Sequence, residues 1–402
     1  MSGALKGVKI VEMASVVLGP YAGQMLADHG ADVVKVEPPG GDTNRNLGPS
    51  RKNADMSSLF MGCNRNKRSI VLDLKSEGGK AACHSLIKQA DVVLHNYRPQ
   101  SIERLGFGYD EIVKCNPNIV YCGAYGYSIK GAYGEKGALD DSIQAASGIA
   151  MLVNEMYGEV RYLPTIVADK TTGMMAAQSI LAALFHRERT GEGQQIEVPM
   201  FETMAAFVMT EHMWGKTFEP PLGEAGYVRL MASHRRPYET KDGLYLAVLP
   251  YWDNHWLTFA KLSGHPELAE NPDFKNMKSR LKNINASYKA TGEVIKEKTR
   301  QEWLDLLGDT NVPMVVVNSL DTLLTDEHLV STGFWQEHKH PTEGKLRFSS
   351  PPANLSKTPA SIDRLPPRLG EHTREILAEV GYADGDIDQL VEQGDIFQCT
   401  SI

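Results

Sequence analysis

A series of short apolar runs, spaced by helix-length stretches, constrains this chain more than any other feature. They are Val8-Lys-Ile-Val-Glu12, Asp32-Val-Val-Lys-Val-Glu37, Ser69-Ile-Val-Leu-Asp73, Asp91-Val-Val-Leu-His95 and Ile119-Val-Tyr-Cys-Gly123. Helical patterns fall between them, from Pro20 to Asp28 (closed by Gly30) and from Glu77 to Gln89. Strands joined through helices of this length form right-handed parallel crossovers. Repetition of that unit predicts an α/β fold whose large domain is Rossmann-like and doubly wound.

The pattern changes further along. Pro237 to Gly243 is a turn signal, and Leu244-Tyr-Leu-Ala-Val-Leu249 reads as a strand after it. Ala286 to Glu297 and Glu302 to Leu307 read as helices, and Val312 to Val317 as a strand. Proline is dense from Ser349 to Leu369, where the chain wraps before a helix spanning Gly370 to Leu377. The expected organisation is therefore a large domain begun by residues 1–220, a smaller α+β domain at 226–325, and a return segment with C-terminal tail at 326–402 that completes the large domain.

Composition excludes several roles. The chain has 402 residues with 42% hydrophobic and 23% charged, enough for a large core. A net charge of -8 gives no basic field for nucleic acid, so an anionic ligand needs a local cluster of Lys and Arg. The five cysteines (Cys63, Cys83, Cys115, Cys122, Cys399) are odd in number and make no C-x-x-C pair, which suits free thiols in a reducing compartment. No apolar run reaches about eighteen residues, so no membrane span is expected. Met1 to Gly7 holds neither a signal core nor a basic presequence, and the expected location is cytoplasmic, a processed organellar protein being the alternative. The histidines of Glu337-His-Lys-His340 read as exposed groups in a charged loop, and no metal site is expected. The run from Met200 to Met213 reads as core or subunit packing. After the first strand the chain runs Met13-Ala-Ser-Val-Val-Leu-Gly-Pro-Tyr21, without G-x-G-x-x-G, and no P-loop occurs elsewhere. Nicotinamide, flavin and nucleoside triphosphate ligands thus lose their usual phosphate cradle.

One segment carries a nucleophile candidate. Leu163-Pro-Thr-Ile-Val-Ala-Asp169 runs into a small-residue helix read from Met174 to Arg187, closed at Thr190-Gly-Glu-Gly193 and followed by strand-like Gln195 to Pro199. An aspartate just before a helix is ordinarily an N-cap. The helix dipole would also hold it ionised, and an ionised carboxylate can attack a carbonyl. Backbone N–H groups at the helix start would stabilise an oxyanion, and Gly173 would let a ligand approach the backbone.

An ordered set of motifs, from one end of the chain to the other, resembles the family III CoA-transferases, the group of formyl-CoA and carnitine CoA-transferases. The set comprises Leu18-Gly-Pro, Gly30 to Glu37, Asn66-Lys-Arg-Ser-Ile70, Asn96-Tyr-Arg-Pro99 with Arg104-Leu-Gly-Phe107, and Asp140 with Gln144-Ala145. It continues with Asp169-Lys-Thr-Thr-Gly173, Thr190 to Gln194, Thr240-Lys-Asp-Gly243 and Leu369 to Thr373. The resemblance implies two chains threaded as interlocked rings in a homodimer. It implies Asp169 as nucleophile, passing CoA from an acyl-CoA to a free carboxylic acid through mixed anhydrides and an aspartyl-CoA thioester, with water excluded. CoA is then a substrate, and no cofactor is needed.

By the same resemblance, CoA contacts fall on Val16, Leu72, Asp73 and Lys75, on Asn96, Tyr97, Arg98 and Arg104, and on Lys136 and Leu139. Arg and Lys supply charge for phosphate. Val17, Asp140, Val248 and Leu249 fall at acid-substrate positions. Departures bear on specificity. Val17 stands where many formyl-CoA transferases have glutamine, Pro38 where they have arginine, and Ala247-Val-Leu-Pro-Tyr251 where they have a glycine-rich loop. These point away from oxalate and formate, toward a short acyl group with a carbon skeleton, branched or dicarboxylic. An alpha-methylacyl-CoA racemase is the runner-up, but such enzymes place a proton-moving histidine before the aspartate matching Asp140, and Leu139 stands here. A non-catalytic CoA-binding protein is the third reading.

Overall fold

The predicted strands form, with ends shifted by a residue or two. The computed structural model describes residues 3–399, so Met1 and Ser2 of the N-terminal stretch discussed above lie outside the described residues. The strands are β1 (Lys9–Met13), β2 (Asp32–Glu37), β3 (Lys67–Leu72), β4 (Val92–His95), β5 (Val120–Tyr125) and β6 (Gln194–Pro199). They pair in the order β3-β2-β1-β4-β5-β6, all parallel. A last short strand, Ile396–Phe397, adds antiparallel to β3, so the seven-stranded sheet is mixed at one edge.

This order places a switch point beside β1. The chain winds outward through β2 and β3, then returns to the other side of β1 as β4, in register from Ile10↔Val92 to Met13↔His95. The loops after β1 and β4 diverge there and leave a crevice at the carboxyl ends of the strands.

The central strands are buried on both faces yet carry charge. Lys35 and Lys67 are fully buried, as is Glu12. Lys35 Nζ lies 3.2 Å from Glu12 Oε1, 2.9 Å from Asp42 Oδ2 and 2.7 Å from the Ala14 carbonyl. Lys67 Nζ lies 2.8 Å from Glu12 Oε2 and donates to the Pro20 carbonyl at 2.7 Å. Burial presses Lys67 down to about 8, with Lys35 adding to it, while the carboxylates of Glu12, Asp42 and Glu37 overcome burial at Lys35 and hold its pKa above the ordinary value. A buried ion cluster adds little net stability, and breaking one partner is costly. Its structural effect here is to tie β1, β2 and β3 to the loop that follows β1.

Helices cover the sheet, among them α1 (Leu18–Asp28), α2 (Glu77–Lys88), α3 (Asp140–Ala146) and α4 (Val167–Thr190). The core on the α2 side gathers Ile70, Leu72, Ile87, Phe107 and Ile376.

The chain divides into two compact units, one of Met1–Ser147, Leu163–Phe207 and His328–Ile402, the other of Gly148–Tyr162 and Val208–Glu327. The second unit holds an antiparallel sheet of Tyr238–Glu239, Tyr245–Val248 and Met314–Val316. Its core packs Leu246, Val248, Phe259, Ile295 and Trp303. The helix Arg300–Leu307 starts at a reciprocal cap between Thr299 and Glu302.

One reading is overturned in the return segment. Glu337 to His340 is not an exposed loop but part of strand Trp335–His340, paired antiparallel with Gly344–Ser349. His340 is buried, and its Nε2 donates to the Pro366 carbonyl at 3.0 Å while its Nδ1 accepts from Glu343 N at 3.1 Å. The charged residues of the hairpin concealed its alternation, since Glu337 faces Lys345 and Arg347 across the pair.

Candidate active site

The crevice at the switch point is a cavity of about 230 Å³, lined by Val16 after β1, Asn96 and Arg98 after β4, and by Lys136, Leu139 and Asp169. Backbone clamps shape its floor. Val16 adopts a φ of 69°, a conformation that β-branched residues rarely take. Asp42 Oδ1 accepts from Val16 N at 3.1 Å, and Asn44 Nδ2 donates to the Val16 carbonyl at 2.5 Å. Asn96 holds the neighbouring Ser15 with both ends of its amide, Oδ1 accepting from Ser15 N at 3.1 Å and Nδ2 donating to the Ser15 carbonyl at 2.7 Å. Asn96 thus lines the cavity with its amide already engaged. Strain of this kind persists where surrounding groups over-determine the backbone.

Asp169 is not an N-cap. The helix begins at Val167, well before the predicted Met174, and Asp169 lies in its first turn. Thr171, Thr172 and Gly173 do not delay the helix. The cap position falls on Ile166, which has no capping side chain. Asp140 on α3 fills that role, its Oδ2 accepting from Asp169 N at 3.0 Å. Gln144 holds Asp140 in turn, with Nε2 2.6 Å from Asp140 Oδ1.

The helix-start N–H groups are therefore largely in use. Val167 N donates to the Thr165 carbonyl and Asp169 N to Asp140, which corrects the expectation that they await an oxyanion. Gly173 is also reassigned. A Cβ there would lie 2.8 Å from the Leu18 carbonyl, so the close approach is to α1 and not to a ligand.

The electrostatics differ from expectation as well. Asp169 is buried, and no donor among the described residues reaches its carboxylate. Burial first, and the nearby Asp140 charge second, raise it from 3.8 to about 7. The carboxyl is therefore only partly ionised at neutral pH. A desolvated carboxylate without hydrogen bonds is a better nucleophile than a hydrated one. Arg98 and Lys136 bring positive charge to the cavity, Lys136 Nζ resting 4.1 Å over the Tyr133 ring. Gly137 leaves room for Arg98, whose Nη2 would lie 2.8 Å from a Cβ at that position.

The remaining sequence-derived positions lie elsewhere. Val17 is buried at the head of α1, between Val16 and Leu18, which line the cavity. Leu72 is fully buried in the core, while Asp73 and Lys75 follow β3, two strands away from β1. Tyr97 packs against the core near α2, and Arg104 is exposed at the end of the short helix Pro99–Arg104. Val248 belongs to the core of the second unit and Leu249 is exposed within that unit. Two features of the site went unread in the sequence. Tyr125 and Tyr127 line the cavity because β5 ends there. Gln144 was part of a motif without a role, although its spacing of four from Asp140 on a helix places the two side chains together.

Known proteins resemble this chain over nearly its whole length. The sequence model of CoA-transferase family III matches residues 5–373. The chain is 32% identical to the succinyl-CoA:glutarate CoA-transferase of Mus musculus over 401 residues, covering 98% of this chain and 90% of that one. It is also 32% identical to the formyl-CoA:oxalate CoA-transferase of Streptomyces coelicolor over 411 residues, covering 97% and 98%. A solved CAIB/BAIF family protein from Brucella suis superposes with a TM-score of 0.80 at 29% identity, covering 94% of this chain and 100% of that one. With a family match over nearly its whole length and relatives of this similarity, the chain belongs to CoA-transferase family III.

Proposed function

We propose that this protein is an acyl-CoA:carboxylate CoA-transferase with Asp169 as its nucleophile. The observation that carries the reading is the Asp169 carboxylate itself, desolvated, without a hydrogen-bond donor among the described residues, and opening onto a cavity flanked by Arg98 and Lys136.

The chemistry follows from that carboxylate. An Asp169 oxygen attacks the thioester carbon of an acyl-CoA, the C–S bond breaks, and CoA leaves as thiolate beside an aspartyl–acyl anhydride. The thiolate attacks the aspartyl carbon, releasing the first acid as its carboxylate and leaving an aspartyl-CoA thioester. An acceptor carboxylate attacks that thioester, forming a second anhydride and freeing the thiolate again. Attack of the thiolate on the new acyl carbon yields the product thioester and restores Asp169. No proton or electron is gained or lost, so the cycle as written needs neither cofactor nor metal.

Arg98 and Lys136 would meet CoA phosphates, with Val16, Asn96 and Leu139 shaping the channel for the thiol arm. CoA is longer than this cavity, and the exposed Lys75 and Arg104, with Asp73 and Tyr97, are assigned to its outer end. The buried Leu72 side chain could contribute only packing beneath it. Val17 and Asp140 are assigned to the acid side of the site. A short acyl group with a carbon skeleton, branched or dicarboxylic, is in keeping with the departures from the formyl-CoA transferase pattern. The identities to glutarate and oxalate transferases are equal and do not decide between acids. Met174, Met175, Leu181 and Phe185 are exposed along α4, an apolar stripe that a second copy of the chain would cover in a homodimer. A racemase is not favoured, because Leu139 has no atom to carry a proton.

The test is incubation with succinyl-CoA and a panel of free acids, following new acyl-CoA species by mass. Transfer to at least one acid, lost in Asp169→Asn, supports the reading. Hydrolysis alone, or transfer that survives Asp169→Asn, would overturn it.

A further inference from the structure

Gln144 is fully buried, which is unusual for an amide side chain unless every polar atom is used. Its Nε2 donates to Asp140 Oδ1 at 2.6 Å and to the Thr165 carbonyl at 3.3 Å, and its Oε1 accepts from Leu163 N at 2.9 Å. Three pieces of the site therefore meet on one side chain. Asp140 divides its oxygens between Gln144 and the backbone N–H of Asp169, so it cannot rotate without breaking one of the two bonds. Thr165 accepts from Val167 N, the first residue of α4, so the approach to the helix is held by the same amide.

We propose that Gln144 is the positioning residue of the transfer site, locking Asp140 onto the first turn of α4 and thereby fixing where the Asp169 carboxylate stands. It is absent from the cavity lining and acts only through Asp140 and the segment 163–165. This inference rests on the reading of Asp169 as nucleophile. The alignment of a nucleophile within about half an ångström matters for attack, which is why a residue outside the cavity can control rate. The charged groups around the pair are Asp140 and Asp141 on α3, Lys170 on α4 (its Nζ donating to Thr165 Oγ1), and Arg98 and Lys136 across the cavity. Lys170 is engaged at Thr165 and does not hold Asp140 in place of the amide.

The experiment compares Gln144→Leu, Gln144→Glu and Asp169→Asn with the unaltered protein, reading kcat and KM for acyl-CoA across pH, with circular dichroism to follow folding. Gln144→Leu keeps the volume and removes all three bonds. It is expected to lower kcat by at least about tenfold while KM changes less than about threefold. Its acid limb is expected at lower pH, because Asp140 is no longer held beside Asp169. Gln144→Glu can replace the lost donor only when its carboxyl is protonated. Its activity is therefore expected to keep the acid limb set by Asp169 and to fall at alkaline pH, where the new carboxyl ionises, a limb the unaltered protein lacks. Should Gln144→Leu fail to fold, the alkaline limb of Gln144→Glu decides. Loss of kcat with unmoved pH limbs would make Gln144 merely structural and overturn the proposal, as would unchanged kinetics in both variants. Full transfer by Asp169→Asn would overturn the nucleophile reading and this inference with it, whereas an inactive Asp169→Asn beside unaffected Gln144 variants would overturn this inference alone.

Discussion

Asp140 Oδ2 accepts the backbone N–H of Asp169 at 3.0 Å, so one carboxylate caps the helix that presents another. The cap comes from α3 because Ile166, at the position that normally supplies it, has no suitable atom. The same contact sets two carboxylates close together in a desolvated place. The helix gains its cap, and Asp169 gains a proton affinity far above that of a surface aspartate.

The rate should follow the ionisation of Asp169. Its carboxyl titrates near 7, and only the ionised form attacks a thioester. Hence kcat/KM is expected to rise with pH through about 7 and level off above it. Asp140→Asn keeps an acceptor for the Asp169 N–H and removes the charge. Its acid limb should move to lower pH while staying above the ordinary aspartate range, since burial is the larger cause. A pH–rate profile of both proteins checks the shift, and an unmoved limb would remove Asp140 from the electrostatics.

Stability carries the opposite sign. A carboxyl whose folded pKa lies above its unfolded value binds more protons folded than unfolded between 3.8 and about 7. Stability from this group is therefore present at acid pH and lost as pH rises through that window. Asp169→Asn removes the penalty of burying the charge. It is expected to raise stability at pH 8 by up to about 4 kcal/mol, at 1.36 kcal/mol per unit, and to change it little near pH 4. Urea unfolding at the two pH values checks this, and an equal effect at both would contradict it.

Much of this arrangement was legible in the sequence. The Val-rich runs of β2 and β4 and the helix-length spacers sufficed for a doubly wound sheet, because strands buried on both faces have a simple apolar signature. The ionic residues Glu12, Lys35 and Lys67 were harder to place, as nothing local shows that they meet in the core. The hairpin of Trp335–His340 and Gly344–Ser349 was missed because charged cross-strand partners hide its alternation. Asp169 was found, but its place inside the helix was not, since the cap is supplied by Asp140, 29 residues earlier. Arg98, Asn96, Lys136, Leu139 and Val16 do meet at one cavity, whereas Arg104, Lys75 and Leu72 do not line it.

Arg98 and Lys136 should act on CoA affinity. Arg98→Gln or Lys136→Gln is expected to raise KM for acyl-CoA by about tenfold to a hundredfold, the worth of one charge-assisted bond, with a smaller change in kcat. Steady-state kinetics against acyl-CoA and against an acyl thioester lacking the nucleotide separate the two effects. The defect should vanish with the truncated donor, and a defect that persists would place these residues at the acyl end instead.

Gly173 is a packing residue by this account. Gly173→Ala sets a Cβ against the Leu18 carbonyl at 2.8 Å and Tyr21 Cδ1 at 3.3 Å, forcing α1 and α4 apart. A loss of about 1–3 kcal/mol is expected. Donor KM should stay within about twofold at a temperature where the variant remains folded. A variant of unaltered stability that binds acyl-CoA poorly would return Gly173 to the ligand-contact role.

Chemical trapping tests Asp169 as the nucleophile. The protein is mixed with succinyl-CoA, without acceptor, treated with hydroxylamine, digested and analysed by mass. An activated Asp169 carboxyl predicts a hydroxamate confined to the peptide carrying Asp169, absent without donor and absent in Asp169→Asn. Active protein that transfers CoA while its Asp169 peptide stays unmodified, or modification placed on another carboxylate, would contradict the account.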